Sequence, residues 1–179
     1  NPPEYNGYKV YDEDGCQLIP ELADVVIDKI SKITDLFNIP VGNFEGLKAQ
    51  NLIKMIDKEI DDKYLEMVKT VPVQQVKKDN IKIVFTPLHG TASVHLADLL
   101  KEEGYNVVEV KEQMIPDPFF STVKSPNPEE STAFEYAINL GKEVNADILI
   151  ATDPDADRMG IAAKDENGEY VLLTGNQTG

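Results

Sequence analysis

The chain has 179 residues, of which 41% are hydrophobic, enough to build one domain or two small ones around a core. Its formal net charge of -15 argues against a nucleic acid or an anionic membrane as partner, because both require a basic surface. No apolar run approaches the ~20 residues that cross a bilayer, so we expect a soluble protein. The single cysteine, Cys16, cannot form an internal disulfide, and we expect a reducing, cytoplasmic setting.

The N-terminal part of the chain predicts a hairpin and then two helices joined by a linker. Residues 8–11 favour a strand and residues 12–15 favour a turn. The first helix opens at Pro20, and its apolar stripe extends to Phe37. A second amphipathic helix is predicted for residues 52–68, and its charged face is most simply solvated.

From residue 80 onward, strand patterns alternate with helix patterns. Strands are predicted at residues 81–85, 105–110 and 146–151, helices at 93–103 and 132–144, and a final hairpin at 159–164 and 169–173. Such an order builds an α/β fold with a mixed, mainly parallel sheet covered by helices. We therefore expect ligand-binding loops at the carboxyl ends of the strands.

An acidic segment follows the apolar stretch 148–151 after a single residue, Thr152, and reads Asp153-Pro154-Asp155-Ala156-Asp157-Arg158. Alternate side chains of an extended or gently curved loop point to the same side, so the three carboxylates can converge on one cation. Carboxylate oxygens are hard ligands, which favour Mg²⁺, Ca²⁺ or Mn²⁺ over zinc. Arg158, the only arginine of the chain, adds a planar fork suited to a phosphate. This pairing predicts phosphoryl chemistry.

Other interpretations of the acidic segment compete with this one. An ordinary solvated turn is one, since Asp and Pro are common turn residues. An EF-hand loop also begins Asp-x-Asp-x-Asp, but its sixth position should be Gly and is Arg158, and its twelfth should be Glu and is Lys164. A non-catalytic divalent-metal module stays open. So does an aspartyl-nucleophile phosphatase of the haloacid dehalogenase type, although that family usually has Thr or Val at the position of Asp157.

Several segments together resemble the alpha-D-phosphohexomutase family, which includes phosphoglucomutases and phosphomannomutases. Residues 153–158 are similar to its metal loop, usually Asp-Gly-Asp-Gly/Ala-Asp-Arg, with Pro154 in place of the commoner Gly. Thr86-Pro87-Leu88-His89-Gly90-Thr91 resembles the loop after the first strand of its second domain, and Ser125-Pro126-Asn127-Pro128-Glu129 resembles another segment of that domain. Asn1-Pro2 resembles the tail of its catalytic serine loop, and Asn6-Gly7-Tyr8-Lys9 resembles the Asn-Gly-x-Lys that follows.

The resemblance implies a domain organisation. Residues 1–40 would be the C-terminal part of domain 1, residues 41–79 a linker and connecting helix, residues 80–175 domain 2, and residues 176–179 the start of domain 3. The phosphate-carrying serine would precede Asn1. We therefore expect the 179-residue chain alone to be inactive and its partners to include the remaining domains of the same polypeptide.

The resemblance also implies an activity. A phosphoserine enzyme of this family interconverts hexose 1-phosphate and hexose 6-phosphate through a bisphosphate, and the similarity favours a phosphoglucomutase. Mg²⁺ would be the cofactor, held by Asp153, Asp155 and Asp157, because it neutralises charge on the transferring group. In this family the loops that recognise the sugar belong to the third domain, so the resemblance leaves glucose, mannose and pentose phosphates open as substrates.

Four further residues have implied roles in this chemistry. Lys9 would lie close to the reacting phosphate as an electrostatic or acid-base group, and Arg158 would act on the transferring phosphate. His89 and Lys124 are candidate substrate-binding residues. From the residues alone, a lone histidine after a strand is more often a structural hydrogen-bonding group, and a loop lysine is more often solvated.

Overall fold

The computed structural model describes residues 9–74, 77–78 and 80–179, which belong to two compact units, Asn6–Val71 and one that includes Pro72–Gly179. The segments Asn1-Pro2 and Asn6-Gly7-Tyr8, which carry part of the family resemblance, lie outside the described residues. None of the described helices has the length and apolar character that crossing a bilayer requires.

The first unit contains three described helices: α1 (Pro20–Ile30), α2 (Phe44–Ala49) and α3 (Lys58–Val68). Pro20 opens α1 as predicted, because a proline at the first helical position has no amide to leave unsatisfied. The helix ends at Ile30, short of the predicted stripe end at Phe37. Within the described residues 9–11 of the predicted N-terminal strand, the pairing consists of an isolated antiparallel bridge between Tyr11 and Gln17.

Helix α2 lies in the segment expected to be a linker, and an asparagine stands at each of its ends. The side chain of Asn43 caps its N terminus, and Asn51 ends it in the left-handed conformation at φ 58°. The amide of Leu52 then donates to the carbonyl of Leu47 at 3.0 Å, as in a Schellman motif. The prediction of a helix from Leu52 was therefore wrong, because this turn interrupts the helical path and α3 begins only at Lys58.

The second unit is built on a five-stranded mixed sheet with the order β2-β1-β3-β4-β5. Its strands are β1 (Lys82–Thr86), β2 (Asn106–Glu109), β3 (Ile148–Thr152), β4 (Met159–Lys164) and β5 (Tyr170–Leu172). β1 pairs in parallel with β2 and β3, whereas β4 and β5 extend the sheet in antiparallel order. The predicted α/β fold class, with its parallel strands and terminal hairpin, is confirmed.

The connections between the parallel strands carry α4 (Leu96–Glu102) and α5 (Glu135–Val144), and a short α6 (Gly175–Thr178) follows β5. The inner face of α5 includes Ala137 and Gly141, both buried. A Cβ atom on Gly141 would lie 2.6 Å from Leu149 Cδ2, so this helix packs closely on β3 because a glycine stands there. Phe134, buried just before α5, belongs to the same core.

The strand register brings the ends of β1 and β3 together. Thr86, the last residue of β1, pairs with Ala151, one residue before the end of β3. The loop 87–91 after β1 and the acidic segment 153–158 after β3 therefore leave the same edge of the sheet. Thr152 pairs with Met159, so the acidic segment forms the connection that reverses the chain into β4.

Candidate metal and phosphate site

The carboxylates of the acidic segment converge. One oxygen from each of Asp153, Asp155 and Asp157 lies within 4.8 Å of the others. The backbone reaches this arrangement through a tight turn rather than an extended loop, since the amide of Ala156 donates to the carbonyl of Asp153 at 3.0 Å. Ala156 adopts the left-handed conformation at φ 61°, which costs about 1 to 2 kcal/mol for an L-residue. The predicted convergence is present, but the turn and not simple alternation produces it.

Asp153 is the fixed member of the cluster. Its side chain is only 2% exposed, and both of its oxygens accept hydrogen bonds from Arg158. Oδ1 accepts from the backbone amide at 3.0 Å, and Oδ2 accepts from Nε at 2.9 Å. A buried carboxylate is costly unless it is paired in this way. Each oxygen keeps a second lone pair, while Asp155 and Asp157 are exposed at the surface.

The guanidinium of Arg158 is held from a second loop as well. Its Nη1 donates to Asn127 Oδ1 at 3.1 Å, and Asn127 is itself held through its Nδ2, which donates to Glu130 Oε1 at 3.1 Å. The next residue, Pro128, packs on the start of β4, where a Cβ atom on Gly160 would lie 2.0 Å from the Pro128 carbonyl oxygen. The side chain of Arg158 is 45% exposed, so a preset guanidinium still faces solvent.

The loop after β1 packs directly against the acidic segment. A Cβ atom on Gly90 would lie 2.4 Å from Pro154 Cα, and the amide of Thr91 donates to the Pro154 carbonyl at 2.9 Å. The two residues before this contact, Leu88 and His89, are both left-handed, at φ 48° and φ 67°. Such a pair of non-glycine residues persists only where the surroundings hold it. Pro154, between two of the acidic residues, therefore packs on backbone that directly follows a strained and firmly held pair.

His89 is 8% exposed, and both of its ring nitrogens have partners within the chain. Nδ1 lies 2.7 Å from the carbonyl of Ile115, and Nε2 lies 2.7 Å from Thr122 Oγ1. The ring also meets Phe120 edge-on, with the ring centroids 6.2 Å apart. These contacts are those of a structural histidine, so the substrate-binding role of His89 stays a prediction that its partners do not favour.

The two candidate lysines differ in setting. Lys124 is exposed, and no hydrogen bond or ion pair of its side chain occurs within the part of the chain that the structure describes. Lys9 is exposed and belongs to the first unit. Their roles toward a phosphate remain predictions.

Asp117 shapes the segment that leads to Thr122. The backbone amide of Ser121 and then that of Phe119 hold the pKa of the Asp117 carboxyl below its ordinary value of 3.8. The two hydrogen bonds measure 2.8 Å and 2.9 Å. Because the carboxylate accepts from two backbone amides, it fixes the turn that contains Phe120, which is left-handed at φ 50°.

The residues of the acidic segment fit a hard divalent cation. The donor set consists of carboxylate oxygens, which suit Mg²⁺ and Mn²⁺ better than zinc. Arg158 sits beside the cluster, so a phosphate oxygen could meet a cation and a guanidinium together. Sequence reasoning missed Asn127 as the residue that orients this guanidinium, although an asparagine between two prolines at a loop was a visible signal.

Clustered carboxylates and an arginine lie beyond the carboxyl end of a central strand, at the edge where open α/β sheets commonly bind ligands. The family model for phosphoglucomutase/phosphomannomutase alpha/beta/alpha domain II matches residues 62–168. The model for alpha/beta/alpha domain I of the same family matches residues 1–36. The chain belongs to the phosphoglucomutase/phosphomannomutase family.

Relatives of known sequence agree with this assignment, and a solved structure shares the fold. The chain is 39% identical over 182 residues to a phosphoglucomutase of Staphylococcus aureus strain MRSA252, and 38% identical to that of strain N315. Each match covers 100% of this chain and 32% of the relative, so the chain spans about a third of the length of these proteins. A solved phosphoglucomutase/phosphomannomutase family protein from Burkholderia thailandensis shares the fold, with a TM-score of 0.61 at 24% identity, over 96% of this chain and 32% of that one.

Proposed function

We propose that this chain supplies the cation-binding loop and a phosphate-binding arginine to a phosphohexomutase, specifically to a phosphoglucomutase that interconverts glucose 1-phosphate and glucose 6-phosphate. One observation carries the proposal: three carboxylates converge within 4.8 Å, and the buried one is bonded to Arg158. Membership of the family and the names of the S. aureus relatives support it. The activity belongs to a polypeptide about three times as long, of which the chain matches 32%.

In this proposal the acidic segment prepares a place for Mg²⁺. Asp153 is already fixed by two hydrogen bonds from Arg158, so it presents a ligand in a set direction. Asp155 and Asp157 complete the carboxylate set from the exposed side. When bound, the cation neutralises the charge that builds on a transferring phosphoryl group.

Arg158 has a separate task in this proposal. Asp153 holds its Nε and Asn127 holds its Nη1, so the plane of the guanidinium is set before a substrate arrives. The exposed edge then donates to phosphate oxygens, with the strength of a charge-assisted hydrogen bond. Preset donors of this kind stabilise the reacting geometry because little reorganisation is needed.

The remaining parts of the proposal concern groups beyond the acidic segment. A phosphoserine supplied by another part of the longer polypeptide would exchange its phosphate with a hexose phosphate, as in the family that the sequence resembles. Lys9 would act on the reacting phosphate, and Lys124 would contact substrate. The other domains of the same polypeptide would be the chain's partners. A cytoplasmic location, with neither nucleic acid nor membrane as a partner, belongs to the same proposal.

An activity assay with a charge-matched control tests the proposal. In a polypeptide of the relatives' length that contains this sequence, Asp155→Asn should lower the conversion of glucose 1-phosphate to glucose 6-phosphate by about a hundredfold or more. Glu166→Gln makes the same charge change at an exposed turn between β4 and β5 and should leave turnover unchanged. The 179-residue chain alone should show no turnover. Normal activity of the Asp155→Asn variant would overturn the proposal.

Two rival functions predict different results. An aspartyl-nucleophile phosphatase would carry phosphate on Asp153, yet both oxygens of that side chain accept from Arg158 and the group is 2% exposed. Trapping with a phosphate analogue followed by mass spectrometry should leave Asp153 unlabelled. A non-catalytic module would bind the cation but give no turnover in the longer polypeptide.

A further inference from the structure

We propose that Gln113 and Thr122 are positioning residues for the acidic segment 153–158. They belong to a buried hydrogen-bond chain, called here the Gln113 network, which also includes Thr86 and His89. The network holds the left-handed residues Leu88 and His89, which directly precede the Gly90 backbone on which Pro154 packs. Of the two experiments below, the measurement of Mn²⁺ binding rests on the proposed function, whereas the hydrogen-exchange measurement does not.

Gln113 is the centre of the network. It follows β2, is 0% exposed, and uses both ends of its side-chain amide. Its Oε1 accepts from Thr86 Oγ1 at 2.6 Å, and its Nε2 donates to Thr122 Oγ1 at 2.9 Å. The Thr86 hydroxyl also accepts from the amide of Leu88 at 3.1 Å. One buried glutamine therefore joins the end of β1 to a loop that lies far along the chain.

The network continues into His89 in a consistent direction. Because the Ile115 carbonyl can only accept, Nδ1 of His89 donates to it. Thr122 Oγ1 accepts from Gln113, so its own hydrogen is free to go to Nε2 of the ring. A backbone hydrogen bond also joins the two residues, since the amide of His89 donates to the Gln113 carbonyl at 2.9 Å. Each polar group has a partner that suits it, so the set specifies one loop conformation.

The loop that this network holds also positions the acidic segment. Leu88 and His89 are its left-handed residues, and the side chain of Leu88 is fully buried. Directly after them, Gly90 contacts the backbone of Pro154 and Thr91 donates to its carbonyl. A shift of the loop therefore moves the residue between Asp153 and Asp155. Neither Gln113 nor Thr122 belongs to the carboxylate set, so their influence acts through position.

Amide hydrogen exchange at Thr91 tests the positioning role without any metal. Thr122→Val removes the hydroxyl at nearly constant size, whereas Thr122→Ser keeps it. We expect exchange at Thr91 to be about tenfold faster or more in the valine variant and near wild type in the serine variant. Ile83→Val, a change in the core near the opposite end of β1, controls for general loss of stability and should leave exchange at Thr91 near that of wild type.

Manganese binding to the full chain is the second test. Thr122→Val and Gln113→Leu should each weaken Mn²⁺ binding by about tenfold in calorimetry, and Thr122→Ser should keep the wild-type affinity. Unchanged exchange at Thr91 in the valine variant overturns the positioning role, and the Thr122 pair decides this even if Gln113→Leu fails to fold. If exchange accelerates but the wild-type chain binds no Mn²⁺, the positioning role stands and the proposed function fails.

Discussion

Asn127 Oδ1 and Arg158 Nη1 lie 3.1 Å apart, so the side chain of one loop fixes the guanidinium that another loop presents. On the other side of that guanidinium, Asp153 accepts from Nε at 2.9 Å. A planar group that is held at two of its nitrogens has little freedom to rotate. Arg158 therefore differs from a typical surface arginine, whose ion pairs contribute little to stability.

Arg158→Lys tests whether the planar group matters. A lysine keeps the charge but carries its donors on a single nitrogen, so it lacks the planar fork whose separate nitrogens meet Asp153, Asn127 and a phosphate. The loss of one charge-assisted hydrogen bond, worth ~1.5–3 kcal/mol, should lower turnover of the longer polypeptide about ten- to a hundredfold. Asn127→Ala should act in the same direction more weakly. Near-normal turnover of the lysine variant would show that Arg158 is only a local counter-charge.

Gly90→Ala should disturb the acidic segment from a residue that does not belong to it. The new methyl group would lie 2.4 Å from Pro154 Cα, and backbone cannot move aside as a flexible side chain can. We expect a loss of about 1–3 kcal/mol in unfolding free energy, together with weaker Mn²⁺ binding. Gly175→Ala is the matched control, because nothing lies within 4 Å of its added Cβ atom. Equal behaviour of the two variants would contradict the close contact.

Asp155→Asn should stabilise the chain when no cation is present. Three carboxylates within 4.8 Å repel one another, so the removal of one charge relieves the native state. In metal-free buffer we expect a higher Tm than wild type, and a smaller rise in Tm on addition of Mg²⁺. Glu166→Gln should change neither value. An Asp155→Asn variant that melts below wild type would mean that repulsion does not dominate this cluster.

We expect Asp117 to make a pH-dependent contribution to the stability of the chain. Its folded pKa lies below the ordinary value of 3.8, chiefly because the Ser121 amide favours the charged form. Its stabilisation is therefore present above that ordinary value and is lost as pH falls through the folded pKa. The difference in Tm between wild type and Asp117→Asn should be largest near about pH 6 and shrink toward about pH 2.5. A difference that does not change with pH would remove Asp117 from this role.

Much of the second unit was predictable, because its strands and helices have strong apolar periodicity. Phe134, Ala137 and Gly141 repeat at helical spacing in the predicted helix 132–144 and are buried in the structure. The acidic segment was also visible, since three aspartates after an apolar strand point to a ligand-binding edge. Its conformation was not visible, because the left-handed Ala156 follows from the turn and from the packing of Pro154.

The Gln113 network and helix α2 could not be predicted for different reasons. A glutamine after a strand looks solvated in a sequence, and only the tertiary fold places Thr86 and Thr122 on either side of its amide. Helix α2 depends on capping by Asn43 and Asn51 rather than on a long apolar stripe. Hydrophobic periodicity gives no information about buried side-chain hydrogen bonds or helix caps.

Cation binding to the chain tests the central claim most directly. Titration of the 179-residue chain with Mn²⁺ in a calorimeter should show one saturable site, and Mg²⁺ should compete for it. Asp155→Asn should weaken the affinity by about tenfold or more, whereas Glu166→Gln should not change it. The absence of saturable binding, or equal affinity in the Asp155→Asn variant, would contradict the claim that Asp153, Asp155 and Asp157 form the metal site.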